Sequence, residues 1–214
     1  VLRQQAPPPR ELWDIACGQG AFSKLVLEAG YHVHAVDGDT QQCRVPGIPC
    51  ESLDLNDVAQ VEHFIRARDG RADVTVALEI IEHLRNPWAF MQFCADMTKP
   101  GGYILLSTPH IGSIYSRLLF LRTGQFLMFQ DYRKPFGHIN PVTASELETI
   151  FDHCRLQVLV KAFPCRMPSR GTMRHRLGML ASLIIRPFAK GDKDGIILMY
   201  LLRKRGDSSG GTAT

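Results

Sequence analysis

The sequence predicts a doubly wound α/β domain, and three observations carry that prediction. Short apolar runs alternate with stretches of helical spacing from Glu11 to Phe163. The run Ala72 to Leu78 is apolar almost throughout, as a strand covered by helices on both faces must be. A glycine turn, Cys17-Gly18-Gln19-Gly20, joins the first run to the first helical stretch. Strands alternating with helices imply a parallel sheet with right-handed crossovers.

Taken in order, Glu11 to Ala16 reads as the first strand and Ala21 to Ala29 as the helix after the turn, closed by Gly30. Tyr31 to Val36 is the second strand and ends at Asp37-Gly38-Asp39. A short third strand lies around Ile48 to Ser52, followed by a helix from about Asp57 to Arg68 and the apolar fourth strand. Pro87 sits in the first turn of a helix running to Met97, where its missing N–H costs little. Lys99-Pro100-Gly101-Gly102 is expected to be a turn and Tyr103 to Thr108 the fifth strand. The aromatic stretch 109–141 breaks the rhythm and is expected to be a loop-rich active-site cover. Thr143 or Ser145 caps a helix to about His153, Gln157 to Phe163 is the sixth strand, and Ile196 to Leu202 the seventh. One domain over 1–205 and a disordered tail at 206–214 complete the division.

With 214 residues, 45% of them apolar and 21% charged, the composition is that of an ordinary folded domain. The six cysteines contain no C-x-x-C pair, so sequence suggests neither a zinc knuckle nor a dithiol redox site, and reduced thiols in the cytoplasm are the expectation. No segment has the order of a signal peptide, and a start at Val1 leaves room for a truncated N-terminus. The net charge is only +4, but basic residues gather between Arg166 and Arg205.

A helix N-terminus approached through glycines offers backbone N–H groups to an anion, either a phosphate or the carboxylate of a methionine moiety. The third glycine of a dinucleotide fingerprint is replaced by Ser23, which weakens that reading. Asp14, inside the first strand, should face a cation or several N–H donors, because a buried carboxylate is otherwise costly. Asp37 stands where an acid can accept the hydroxyls of a ribose.

Asp14-Ile15-Ala16-Cys17-Gly18-Gln19-Gly20 resembles the D-x-G-C-G-x-G motif of class I S-adenosylmethionine-dependent methyltransferases, with Ala16 in place of the first glycine. The resemblance continues in order through Val36-Asp37, Leu53-Asp54-Leu55, Glu79-Ile80-Ile81-Glu82-His83-Leu84, Lys99 to Gly102 and Ser107-Thr108-Pro109-His110. It implies a Rossmann-like, three-layer αβα fold whose seven-stranded, mostly parallel sheet has an antiparallel last strand between the fifth and sixth. S-adenosylmethionine is the implied cofactor, held by Asp14, Ala16, Cys17, Gly18, Gly20, Asp37, Gly38, Asp54, Leu55 and Glu79.

Methyl transfer to a hydroxyl needs alignment and removal of a proton. His83, His110 and His138 are the candidate bases at the sheet edge. Glu79, Glu82 and His83 fall at i, i+3 and i+4 and converge if the chain turns helical there. This E-x-x-E-H pattern, completed by His138, resembles the metal site of ubiquinone-biosynthesis O-methyltransferases and of small-RNA 2′-O-methyltransferases, and implies magnesium or another divalent ion. In related proteins without metal, a similar turn only orders a loop.

Tyr115, Arg117, Arg122 and Tyr132 are the polar residues of the cover expected to face an acceptor. Segment 173–189 mixes arginines with apolar residues and suits either a helix packed on the sheet or peripheral contact with an anionic membrane. O-methylation of a small molecule, of the glycan or lipid-linked precursor kind, is the leading expectation, because the acceptor segment is short and no RNA-binding module is visible. RNA 2′-O-methylation and an inactive cofactor-binding partner protein are the alternatives.

Overall fold

The computed structural model describes residues 2–68, 72–132, 137–165 and 184–206. Within them lie α1 (Leu2–Gln5), β1 (Glu11–Ile15), α2 (Ala21–Glu28), β2 (His32–Asp37), β3 (Cys50–Ser52), α3 (Val58–Arg66) and β4 (Ala72–Leu78). A 3₁₀ turn (Ile81–His83) precedes α4 (Pro87–Met97), β5 (Thr98–Pro109), α5 (Ile114–Thr123), α6 (Ala144–His153), β6 (Leu156–Ala162) and β7 (Ile197–Lys204).

The seven strands form one sheet in the order β3-β2-β1-β4-β5-β7-β6. Strands β1 to β5 are parallel, and β7 runs antiparallel to both β5 and β6, as the family resemblance implied. Side chains alternate between the two sheet faces. Thus Trp13 and Ile15, Ala77, Ile104 and Leu106, and Tyr200 and Leu202 join the core under α3, α4 and α6. Leu12, Val74, Val76, Leu105 and Leu201 pack on the other face with Val26 of α2 and Ala6 beside α1. The chain reverses direction of winding between β1 and β4, and the carboxyl ends of those strands open the crevice where ligands of such sheets bind.

Local chemistry explains most helix starts. Asp57 accepts from the N–H groups of Ala59 and Gln60, Asn86 from Ala89 with Pro87 behind it, and Thr143 from Glu146.

Two expectations need correction. The Lys99 to Gly102 turn is part of β5: pairing jumps from Ala72–Thr98 to Val74–Tyr103, and the glycines absorb the irregularity. The 109–141 stretch is not simply loop. It contains α5, capped by the Ser113 hydroxyl and ended by Gly124 in the left-handed conformation. Its apolar residues are spread around the helix, with Leu121 81% exposed, so no period marked it in the sequence. Most of segment 173–189, and all of 207–214, lie outside the described residues.

Candidate active site

The glycine turn begins as β1 ends. Ala16, Gly18 and Gly20 all have positive φ (58°, 53° and 79°). Glycine adopts this conformation freely, whereas alanine pays roughly 1–2 kcal/mol for it. The Gly18 N–H donates to Asp37 Oδ2 at 2.8 Å, and the other carboxylate oxygen accepts from the Asp39 N–H at 2.9 Å. Asp37 is thereby fixed against the turn at the end of β2.

Asp14 is 2% exposed, and burial, assisted by the nearby Asp37 charge, pushes its carboxyl up to about 6. Within the protein it accepts from the hydroxyl of Ser23, itself fully buried in α2. The residue that spoiled the dinucleotide fingerprint is thus the group that compensates Asp14.

Beyond the turn, a cleft of about 490 Å³ is lined by Ala16, Asp37, Gly38, Asp54, Leu55 and Glu79, together with Ile80 and His83. That volume suits a nucleoside-sized ligand. Asp54 is held by the Asn56 N–H at 2.8 Å. Six of the expected cofactor residues therefore share one cavity.

Glu79 sits at φ 54°, accepts from the Ser107 hydroxyl at 2.7 Å, and has its carboxyl raised by burial. This twist, followed by a 3₁₀ turn rather than an α-helix, breaks the expected convergence of Glu79 with Glu82 and His83. Ligand atoms of Glu82, His83 and His138 do lie within 4.8 Å of one another, and Glu79 is outside that set. Glu82 is fully buried, and desolvation plus the Glu79 charge push it up to about 8. Its Oε2 accepts from Thr108 at 3.0 Å, while Oε1 has no hydrogen-bond partner among the described residues.

His138 reaches this point because the N–H groups of Ile139 and Asn140 both donate to the Glu82 carbonyl, at 3.0 and 2.9 Å. Its ring meets His83 edge-on at 4.6 Å and Phe129 at 5.5 Å. Any side chain on Gly137, at φ 79°, would crowd His83 Nδ1.

His110 does not join them. It is 3% exposed, its Nδ1 lies 2.8 Å from the Asp194 carbonyl, and its ring packs on Phe163. Burial holds it below the ordinary histidine range. Arg117 is likewise engaged by the carbonyls of Gly112, Lys190 and Asp192 rather than presented to an acceptor.

A family model described as a methyltransferase domain matches residues 1–159. The chain belongs to this methyltransferase-domain family. S-adenosylmethionine is accordingly its cofactor, and the turn, Asp37 and the adjoining cleft fit that molecule in donor chemistry and size. Among relatives, the chain is 30% identical over 102 residues to a ubiquinone biosynthesis O-methyltransferase of Shewanella pealeana, covering 46% of this chain and 43% of that protein. It is 33% identical over 99 residues to the protein of the same name in Paraburkholderia xenovorans, covering 44% and 42%. The methyltransferase domain thus spans less than half the length of these relatives. In fold it is similar to a SAM-dependent methyltransferase from Archaeoglobus fulgidus, with TM-score 0.64 at 18% identity over 95% of this chain and 91% of that one. A methyltransferase from Mesorhizobium loti gives 0.58 at 15% identity, covering 95% of each chain.

The site also holds residues that sequence reasoning missed. Ser23, Ser107 and Thr108 each bond a buried carboxyl. Cys17, Cys43 and Cys50, scattered along the chain, come together with sulfur atoms within 4.8 Å of one another. Nothing in their spacing could reveal this, because the turn after β1, the loop after β2 and the first residue of β3 meet only in the folded sheet.

Proposed function

We propose that the methyltransferase domain methylates a hydroxyl of a small molecule, of the quinone-precursor or glycan and lipid-linked kind, bound beside Glu82, His83 and His138. One observation carries this reading: His83 belongs both to the donor cleft and to the three-residue cluster, so acceptor chemistry would lie next to the donor. The printed names of the relatives, O-methyltransferases of ubiquinone biosynthesis, support the same chemistry.

S-adenosylmethionine supplies an electrophilic methyl group on sulfur. The chain has to align a hydroxyl with it and take the proton, and His83 or His138 as a neutral imidazole suits that task. The cluster also fits a divalent cation: Oε1 of Glu82 is buried with no hydrogen-bond partner among the described residues, and a carboxylate with two imidazoles is a usual ligand set. Such a set favours manganese, iron or zinc over magnesium, which prefers oxygen ligands. Glu82, His83 and His138 would hold the ion, which when bound would lower the pKa of a ligated hydroxyl.

The test is methyl-transfer turnover across catechols, quinone precursors, glycans and short RNAs, with chelator-treated protein titrated with divalent ions in parallel. Turnover on a small hydroxyl acceptor that falls about 10²–10⁴-fold in His138→Ala supports the reading. Undiminished turnover in His83→Ala and His138→Ala, or methylation of RNA alone, overturns it. Among the described residues nothing favours RNA or an inactive partner role over this reading.

We place the domain in the cytoplasm, with peripheral membrane contact through 173–189. No helix of the described residues is long and apolar enough to cross a membrane. At the described end of that segment Ile184 and Phe188 are 68% and 85% exposed. Co-sedimentation with anionic but not neutral vesicles supports contact, and equal partitioning refutes it.

A further inference from the structure

We propose that Cys17, Cys43 and Cys50 form a three-thiolate site for a thiophilic cation of the zinc class, and that the ion holds the loop between β2 and β3 down on the glycine turn. The Sγ atoms of Cys17 and Cys50 are 3.7 Å apart. Two thiolates on a tetrahedral zinc with 2.3 Å bonds stand about 3.8 Å apart, so this pair already has the separation of co-ligands. A disulfide would need about 2.05 Å. The third sulfur, Cys43, lies within 4.8 Å of both. All three residues are half-buried, which leaves the fourth position of a tetrahedron to water.

The surroundings favour a cation. Asp14 stands near Cys17 and Asp37 near Cys50, each opposing a thiolate charge that a metal ion would neutralise. Binding forms three metal–sulfur bonds and releases the three thiol protons to solvent.

The loop's position gives the site its consequence. A Cβ on Gly20 would collide with Val45 and come within 3.2 Å of Cys43 Sγ, so residues 43–45 lie directly on the turn. Backbone N–H groups of that turn are the surface on which the donor's carboxylate is expected to rest. An ion fixing Cys43 to Cys17 would therefore oppose cofactor entry, a coupling that rests on the cofactor assignment.

The experiment uses the full chain, reduced with a phosphine and stripped with chelator, then titrated with cadmium as the spectroscopic probe. A sulfur-to-cadmium charge-transfer band, abolished in the Cys43→Ser/Cys50→Ser variant and kept in Cys165→Ser and Glu82→Gln, is expected. Cys43 is a loop residue, and thermal melts of Cys43→Ser alone check that the fold survives. No band in the unsubstituted protein, a full band in the double variant, or a Cys17–Cys50 disulfide formed in place of metal uptake overturns the proposal. In a second arm, zinc should weaken binding of S-adenosylhomocysteine about tenfold, and Cys43→Ser should remove that effect. Equal affinity with and without zinc overturns the coupling. Failure to bind the nucleoside under either condition strikes the cofactor assignment instead and leaves the cadmium band to judge the metal site.

Discussion

Replacing Ser23 by alanine removes the hydroxyl that bonds Asp14 while leaving the helix that carries it intact. Asp14 titrates at about 6 in the folded protein against an ordinary 3.8, so the native state holds the proton more tightly than the unfolded chain. Stability therefore falls as pH rises from about 4 to 6, by roughly 3 kcal/mol in all, and stays low above that window. A hydrogen bond to an ionised group contributes about 1.5–3 kcal/mol. Its loss should raise the Asp14 pKa by a further one to two pH units at about 1.4 kcal/mol each. The variant should thus keep losing stability up to pH 7 or 8, where the wild type has levelled off. At pH 5, with Asp14 protonated, only an ordinary bond of about 0.5–1.5 kcal/mol is missing. At pH 8 the deficit grows by about 2 kcal/mol, or roughly 4–8 °C in Tm for a chain of this size. Thermal and urea melts of both proteins at pH 5 and pH 8 read this directly. Equal deficits at the two pH values would refute the account of Asp14 as a buried carboxylate stabilised in its charged form by Ser23.

Other substitutions probe the same reasoning. Ala16→Gly relieves the strain at φ 58° and should stabilise by about 0.5–1 kcal/mol after the glycine entropy cost, so a lower Tm would count against it. Gly102→Ala drives a methyl to 2.8 Å from Thr98 Cγ2 and 3.0 Å from the Asp73 carbonyl; a loss of about 1–3 kcal/mol in urea unfolding is expected, and a neutral result would show that the irregularity can open. Thr108→Val strips the donor from fully buried Glu82 and should cost about 1–3 kcal/mol, whereas Thr108→Ser should restore most of it.

Features encoded in contiguous residues were legible. The strand-turn-helix around Gly18, the acid ending β2 and the apolar β4 are each written in a few neighbours, and the fold followed from their order. What depends on tertiary contact was not. Helix α5 has no apolar stripe, because its anchorage is polar, through Arg117. The i, i+3, i+4 reading of Glu79, Glu82 and His83 assumed a helix that the positive φ of Glu79 forbids. His110 looked like a base because it follows β5, yet the stretch before β7 buries it. The three cysteines carried no local signature, since parallel strands far apart in sequence bring them together.

The anchorage of α5 bears on the order in which the molecule matures. Every residue lining the donor cleft lies between Ala16 and Leu84, whereas α5 hangs on carbonyls of residues 190 to 193, and the His110 N–H reaches forward to Ile196. During synthesis from the N-terminus, the nucleoside end of the enzyme can be assembled while the tethers of α5 are still inside the ribosome. A nascent chain stalled short of Lys190 should therefore carry a nearly finished pocket for the donor beside an untied helix.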